Sequence, residues 1–421
     1  GARLWDADGH EYLDFLTGIS VSSVGHCHPK VVEAIRAQAG ELIHVGNLFY
    51  TEPMARLAQR LAESSLGGKV FFTNSGAEAV EAALKLARQY WVEAGCPGKH
   101  KVIALTPGYH GNTLLALSAS AREHYQTYFH EWLVDVVRVP APYAYRCECG
   151  GAPPYCPACS GDAVEAAIVR EGSPTVAAVI AEPVGGSSTG ASAPPPEYWQ
   201  RVRDACIRHS VLLIADEVLT GAGRTGTWSA LEPYGVVPDL MTLGKGISGG
   251  YAPLSAVVAP RRLVDVLAGG SGALLHAQTF SHHPVLCAAG VATLRYLREH
   301  RLIERCAEMA PLFHGRLTGL RALPFVGDVR GRGLLAGVEF VADQSTRAPF
   351  PRSVRFAETF AAAALEAGLV VWPNVGQANG RDGDLAMLAP PFVVTESEID
   401  EIVRLFGQAL RAAGEQIGAR T

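Results

Sequence analysis

Charge is scarce in this chain. Only 18% of its 421 residues are Asp, Glu, Lys or Arg, against 48% hydrophobic residues. That balance excludes a disordered chain and requires a large buried core. No group of lysines and arginines exceeds two or three residues, and the net charge is −5. A nucleic-acid partner is excluded on that ground, because phosphate binding needs a concentrated basic surface. Long apolar runs are missing too: none reaches the roughly 18–20 residues of a membrane span, so no membrane partner is expected. No basic n-region followed by an apolar h-region opens the chain, which argues against secretion. The nine cysteines are odd in number and widely spread, which suits a reducing cytoplasm better than a disulfide framework. The first residue is Gly1, and Ala2-Arg-Leu-Trp-Asp6 reads as the middle of something, so further N-terminal sequence is expected.

What the chain has is alternation. From about residue 50 to 290, strand-like apolar runs alternate with amphipathic helical patterns, the signature of an α/β domain with a largely parallel sheet. Strands are expected at Val70–Thr73, Val102–Leu105, Val176–Ala181, Val211–Ala215 and Leu254–Val258. The helix after the first of these places Val80, Leu84, Ala87 and Trp91 on one face. Beyond residue 296 the pattern changes to a smaller α+β unit, with strands at Gly333–Val341, Gly368–Trp372 and Leu385–Ala389. A closing helix starts from the capping box Thr395-Glu-Ser-Glu398, with Ile399, Ile402, Phe406 and Leu410 as its apolar face. The expected division is an N-terminal segment 1–48 joining the small domain, a large domain 49–295, and a small domain 296–421.

Two segments carry chemistry. Leu212-Leu-Ile-Ala-Asp-Glu217 ends an apolar strand in two carboxylates, at the ligand side of an open α/β sheet. Thr242-Leu-Gly-Lys-Gly246 holds a lysine between two glycines, with no other charged residue between Asp239 and Arg261. A buried carboxylate and a desolvated lysine are what pyridoxal phosphate requires: Asp216 to keep a pyridine nitrogen protonated, Lys245 to form a Schiff base. The bland alternative for Asp216-Glu217 is a Walker B pair, but G-x-x-x-x-G-K-[ST] is absent.

Ser75-Gly76-Ala77, between a strand and a helix start, offers backbone N–H groups and a helix dipole to a phosphate, or else is only a helix cap. Gly108-Tyr109-His110-Gly111 would set an aromatic ring where a flat cofactor stacks, or else packs in the core. Gly221-Ala-Gly-Arg-Thr-Gly226 matches G-x-G-x-x-G literally but opens no helix after a strand, so a dinucleotide is discounted. Cys147-x-Cys149 and Cys156-x-x-Cys159 lie in a loop rich in Gly and Pro. Free thiols are the preferred reading. A zinc ion or an iron–sulfur cluster that staples the loop is the alternative, and with it a metal-stapled binding protein.

In combination these motifs resemble those of class III pyridoxal-phosphate aminotransferases. The resemblance runs from about Arg3 to Leu410 and rests on Val24-Gly-His-Cys-His-Pro29, Asn74-Ser-Gly-Ala-Glu-Ala79, Tyr109-His-Gly111, Ala215-Asp-Glu-Val218, Gly223-Arg-Thr-Gly226, Gly244-Lys-Gly246 and Thr279-Phe280. It implies fold type I, with a mostly parallel mixed sheet flanked by helices plus a smaller α+β domain, in a homodimer with shared active sites. It further implies Lys245 and Asp216 as catalytic residues. Ser75, Gly76, Ala77, Tyr109, His110, Glu182, Val218 and, from the neighbouring subunit, Thr279 would join them around pyridoxal phosphate. Substrate walls are expected from Leu16, Ile19 and Val21, from Phe49 and Tyr50, and from the Trp228 region.

Two departures bear on the substrate. Glutamate-using members carry Glu-Pro-x-Gln-Gly-Glu, where this chain has Glu182-Pro-Val-Gly-Gly-Ser187. Ornithine-type members place an arginine where this chain has Met387. Arg381, in Asn379-Gly-Arg-Asp-Gly383, is either a mobile replacement or a solvated loop residue. The expected reaction is amino transfer from a primary amine or an ω- or β-amino acid to a 2-oxo acid, with pyruvate the expected acceptor. An aminomutase, amine lyase or decarboxylase of the same fold is the alternative.

Overall fold

The computed structural model describes residues 1–418 and contains fourteen strands in three sheets. A three-stranded sheet pairs β1 (Arg3–Trp5) and β2 (Glu11–Asp14) with β12 (Leu369–Val370). The central sheet comprises β3 (Lys69–Thr73), β4 (Lys101–Thr106), β5 (Val137–Pro140), β6 (Val176–Ala181), β7 (Leu212–Asp216), β8 (Leu240–Leu243) and β9 (Ser255–Ala259), in the order β3-β9-β8-β7-β6-β4-β5. A four-stranded antiparallel sheet holds β10 (Val326–Arg332), β11 (Leu335–Phe340), β13 (Trp372–Val375) and β14 (Asp384–Leu388), in the order β10-β11-β14-β13.

In the central sheet the pairs from β5 to β8 are parallel, and β9 runs against both its neighbours. Every residue of β6, β7, β8 and β9 is buried. That follows from helices on both faces, which turn alternating strands into continuous apolar runs. The helix Gly76–Glu93 covers one face with Val80, Leu84, Ala87 and Trp91 all buried. Helices Asp162–Glu171 and Tyr198–Arg208 cover the other through Val164, Ile168, Trp199 and Val202. The helix Glu396–Gly418 buries Ile399, Ile402, Phe406 and Leu410. Its capping box forms as its sequence implies: Glu398 N–H donates to Thr395 Oγ1 at 3.2 Å, and Thr395 N–H donates to Glu398 Oε2 at 2.8 Å.

Two differences from the sequence pattern have physical causes. The run Gly368–Trp372 divides: Leu369–Val370 pairs with β2, whereas Trp372–Val375 pairs with β14. One extended segment therefore serves two sheets. The strand β8 is only four residues long and precedes Gly244, too short to show a period of two. No helix among the described residues is long and apolar enough to cross a membrane.

Candidate active site

The C-terminal ends of β7 and β8 lie side by side, with Asp216 in register with Thr242. Asp216 is 4% exposed. Its Oδ1 accepts from Thr242 Oγ1 at 2.9 Å and from Val218 N–H at 3.2 Å, and its Oδ2 lies 2.6 Å from His110 Nδ1. A carboxylate has about four acceptor positions, so Oδ2 keeps one for a cationic N–H in the cavity. Just past β8, Lys245 adopts φ +42°, a left-handed backbone that costs a β-substituted residue energy and is typical of functional sites. Burial is the main cause that lowers its amine to about 8, against the pull of Asp216 and Glu182 toward a higher value. Among the described residues nothing hydrogen-bonds that amine.

These groups face a cavity of about 410 Å³ lined by Ser75, Gly76, Ala77, Tyr109, His110, Glu182, Asp216, Val218 and Lys245. Gly18, Ile19, Gly111, Asn112, Tyr125, Ser187, Leu219 and Trp372 complete its wall. Ser75 caps the 18-residue helix Gly76–Glu93 in a capping box with Glu78, so the positive end of that helix opens on the cavity. A Cβ on Gly76 would stand 2.7 Å from Val218 Cγ1, so glycine is what lets that helix start press against the residue beside Asp216. Glu182 accepts from Tyr109 N–H at 3.1 Å, Gly186 N–H at 2.9 Å and Ser188 Oγ at 3.1 Å. It thereby ties the segment bearing the Tyr109 ring to the turn at 185–188. Burial, with Asp216 nearby, raises the Glu182 carboxyl above the usual range.

The residues fit pyridoxal phosphate. An anion-binding helix start, an aromatic wall, a carboxylate with a spare acceptor and a desolvated amine converge on one hollow, and His110 Nε2 is buried there without a partner among the described residues.

Not every expected residue reaches the cavity. Ile19 lines it, but Leu16 and Val21 do not. Phe49 and Tyr50 are 63% and 95% exposed, and Tyr50 borders a different groove of about 860 Å³. That groove is larger, but its Lys30, Glu33, Arg56 and Glu299 are all exposed, so it lacks a desolvated group for chemistry. Trp228 donates to Ser65 Oγ at 3.0 Å and lines a separate cleft with Arg60 and Ile303. Arg381 is exposed in the β13–β14 loop, and Thr279 is exposed away from the cavity. Conversely, Thr242, Tyr125, Trp372 and Arg122 escape a reading of the sequence. Arg122 is buried, donates to Ser187 O at 2.8 Å and Val375 O at 3.0 Å, and lies 6.0 Å from the Tyr125 ring centroid. Ser187 is legible only because it falls at the gate position of a known motif.

A mostly parallel sheet with a lysine and a carboxylate at adjacent strand ends, beside a phosphate-ready helix start, defines a pyridoxal-phosphate enzyme. The chain belongs to the class III aminotransferases, whose family pattern matches residues 1–410. It therefore catalyses pyridoxal-phosphate-dependent transamination. It is 39% identical to an acetylornithine aminotransferase of Methanosarcina mazei, over 97% of this chain and 90% of that protein. It is 35% identical to an adenosylmethionine-8-amino-7-oxononanoate aminotransferase of Nitratidesulfovibrio vulgaris, over 99% of this chain and 76% of that protein. Among solved structures, the ω-transaminase of Pseudomonas jessenii in complex with PMP superposes with a TM-score of 0.92 at 32% identity, covering 99% of this chain and 92% of that one.

Proposed function

We propose that this aminotransferase takes the amino group of a primary amine or of an ω- or β-amino acid and delivers it to a small 2-oxo acid, pyruvate being the acceptor. The observation that carries this reading is an apolar patch at the cavity wall. Met387 is 3% exposed and clusters with Val184, Leu219, Leu385 and Trp372, of which Leu219 and Trp372 line the cavity. A dicarboxylate at that wall would lose its hydration without gaining a partner, whereas an apolar amine body gains from contact.

In this reading Asp216 holds the ring-nitrogen proton and His110 and Thr242 hold Asp216. Ser75, Gly76 and Ala77 bind the phosphate through the helix start, and Tyr109 and Val218 flank the ring. When bound, the cofactor supplies the carbonyl that condenses with the amine and the ring that stores the electron pair. Lys245 Nζ would take the proton from the donor carbon that bears nitrogen and deliver it to the former carbonyl carbon of the cofactor, with the reverse transfer in the opposite half-reaction. Burial lowers that amine to about 8, so about half of it is free of its own proton at pH 8 and most of it above.

We infer further that the enzyme works as a homodimer with sites completed across the interface. In support, Leu48, Phe49 and Tyr50 form a run of large apolar side chains that are 89%, 63% and 95% exposed. A patch of this kind marks an interaction surface. Thr279 and Phe280 are also exposed, as residues serving a neighbouring subunit's site would be in the single chain.

The test is a pair of half-reactions followed by absorbance. Alanine, β-alanine, 1-phenylethylamine, ornithine and acetylornithine are each added to the holoenzyme, then pyruvate or 2-oxoglutarate. Bleaching by amines or ω-amino acids and recovery with pyruvate support the proposal. Preference for acetylornithine with 2-oxoglutarate overturns it. Turnover without any added oxo acid would instead identify a mutase, lyase or decarboxylase.

A further inference from the structure

Four cysteines lie outside the cavity just described. They occupy the loop between β5 and the helix Asp162–Glu171, and the free-thiol reading of their spacing must now meet their geometry. Sγ of Cys147 is 3.4 Å from that of Cys149 and 3.2 Å from that of Cys159, and Cys149 is 3.5 Å from Cys156. All four sulfurs lie within 4.8 Å of one another. We propose that Cys147, Cys149, Cys156 and Cys159 bind one zinc ion as a structural tetrathiolate site.

The distances select among the things four cysteines can do. A disulfide needs sulfurs about 2.05 Å apart, and every cysteine here is free. Four thiolates at about 2.3 Å from one zinc stand about 3.8 Å apart at the corners of a tetrahedron, close to the spacing found. In a multi-iron cluster the thiolates sit on different irons around an inorganic core, so they could not all approach one another this closely.

The backbone is shaped for the purpose. Gly150 N–H donates to Cys147 O and Ala152 N–H to Cys149 O, each at 3.1 Å, so the backbone folds tightly behind the first pair. Gly150 and Gly151 take φ +59° and +75°, turning the chain back after the first pair. Cys159 N–H donates to Cys156 O at 2.9 Å, closing the turn that sets the second pair. Cys159 is buried and the other three are half-buried, so the site sits under the loop and not on its rim.

The loop has something to hold. Its first residues reach the four-stranded sheet, where Tyr143 and Arg146 bond Glu339 of β11, and Arg330 of β10 joins them. Arg330 also donates to Thr189 O at 2.7 Å, and Ser192 Oγ donates to Pro142 O at 3.0 Å. The metal would thus brace a segment joining the four-stranded sheet to the turn that follows Glu182, with no part in proton transfer.

The test begins with metal content of untagged holoenzyme, purified through metal-free buffers. About one zinc per chain and negligible iron is the expected result. Titration with a mercurial, in the presence of a zinc-sensing dye, should release that zinc in step with modification of four thiols. The Cys156→Ser/Cys159→Ser variant should carry less than about a tenth of the wild-type zinc. Should the variant fail to fold, the release experiment on the wild type decides alone. Four freely titrating thiols without metal, paired disulfides, or stoichiometric iron would each overturn the proposal.

Discussion

His110 Nδ1 lies 2.6 Å from Asp216 Oδ2, with both side chains buried and 106 residues apart in sequence. The contact holds the carboxylate from behind while Thr242 holds it from the side. Replacing Asp216 with alanine should lower kcat/KM by about a thousandfold, the scale of losing a group that stabilises transition-state charge. His110→Ala should cost about 10- to 100-fold, because it removes only the support of that group. Steady-state kinetics on both variants check the ranking; a larger loss at His110 than at Asp216 would reverse the roles.

Lys245→Ala should reduce transamination by more than about ten thousandfold, since the variant loses its general base as well as its covalent anchor. The protein should still fold. A lysine lowered to about 8 sheds its proton as pH rises through that value, and only the free amine captures an aldehyde. Capture of pyridoxal phosphate by the apoprotein should accordingly speed up about tenfold per unit below pH 8 and level off above it. Stopped-flow absorbance across pH 6 to 10 reads this directly. Continued acceleration beyond pH 9.5 would show that the amine is not desolvated.

Gly76→Ala should weaken cofactor retention. Its Cβ would push into Val218 Cγ1, and overpacking of this kind costs about 1–3 kcal/mol. Val218→Ala vacates that space, so the double variant should retain cofactor better than Gly76→Ala alone. Fluorescence titration of the three apoproteins gives the coupling. Additive losses would mean that the two residues act separately.

Glu339 is fully buried between Arg146, Arg330 and Tyr143. Removing the carboxylate leaves Arg146 without an anionic partner, while Arg330 keeps Asp328 at 3.0 Å, and breaking a buried pair on one side costs about 3–5 kcal/mol. Glu339→Ala should therefore lower Tm by several degrees, with kcat changing less than stability. Calorimetry beside kinetics separates the two effects, and an unchanged Tm would discount the contact.

How far the sequence reveals this site depends on the range of the interactions. Ser75 with Glu78 is a local pattern, visible as a capping box, and the strand ends at Thr73 and Asp216 follow from apolar runs that stop. Thr242 is different: its role depends on β8 pairing with β7, and β8 is too short to read. Arg122 meets Ser187 across 65 residues and Val375 across 253, so no spacing announces it. Trp228 and Arg381 each stand near a motif in sequence, yet neither lines the cavity of the single chain. The cysteine loop falls between these cases, since spacing alone allowed several outcomes and only the sulfur distances separate them.

The register of Asp216 against Thr242 has a consequence for how such a chain can vary. Successive residues of a strand point to opposite faces, so inserting or deleting one residue in β7 or β8 would swing one of the pair out of the site. Exchanging Leu213 for Ile, or Ile214 for Val, keeps the count and costs about 1.5 kcal/mol or less. In these two strands the number of residues is therefore held more tightly than their identity. Their lengths are the part of the catalytic site that a comparison of amino-acid types alone would overlook.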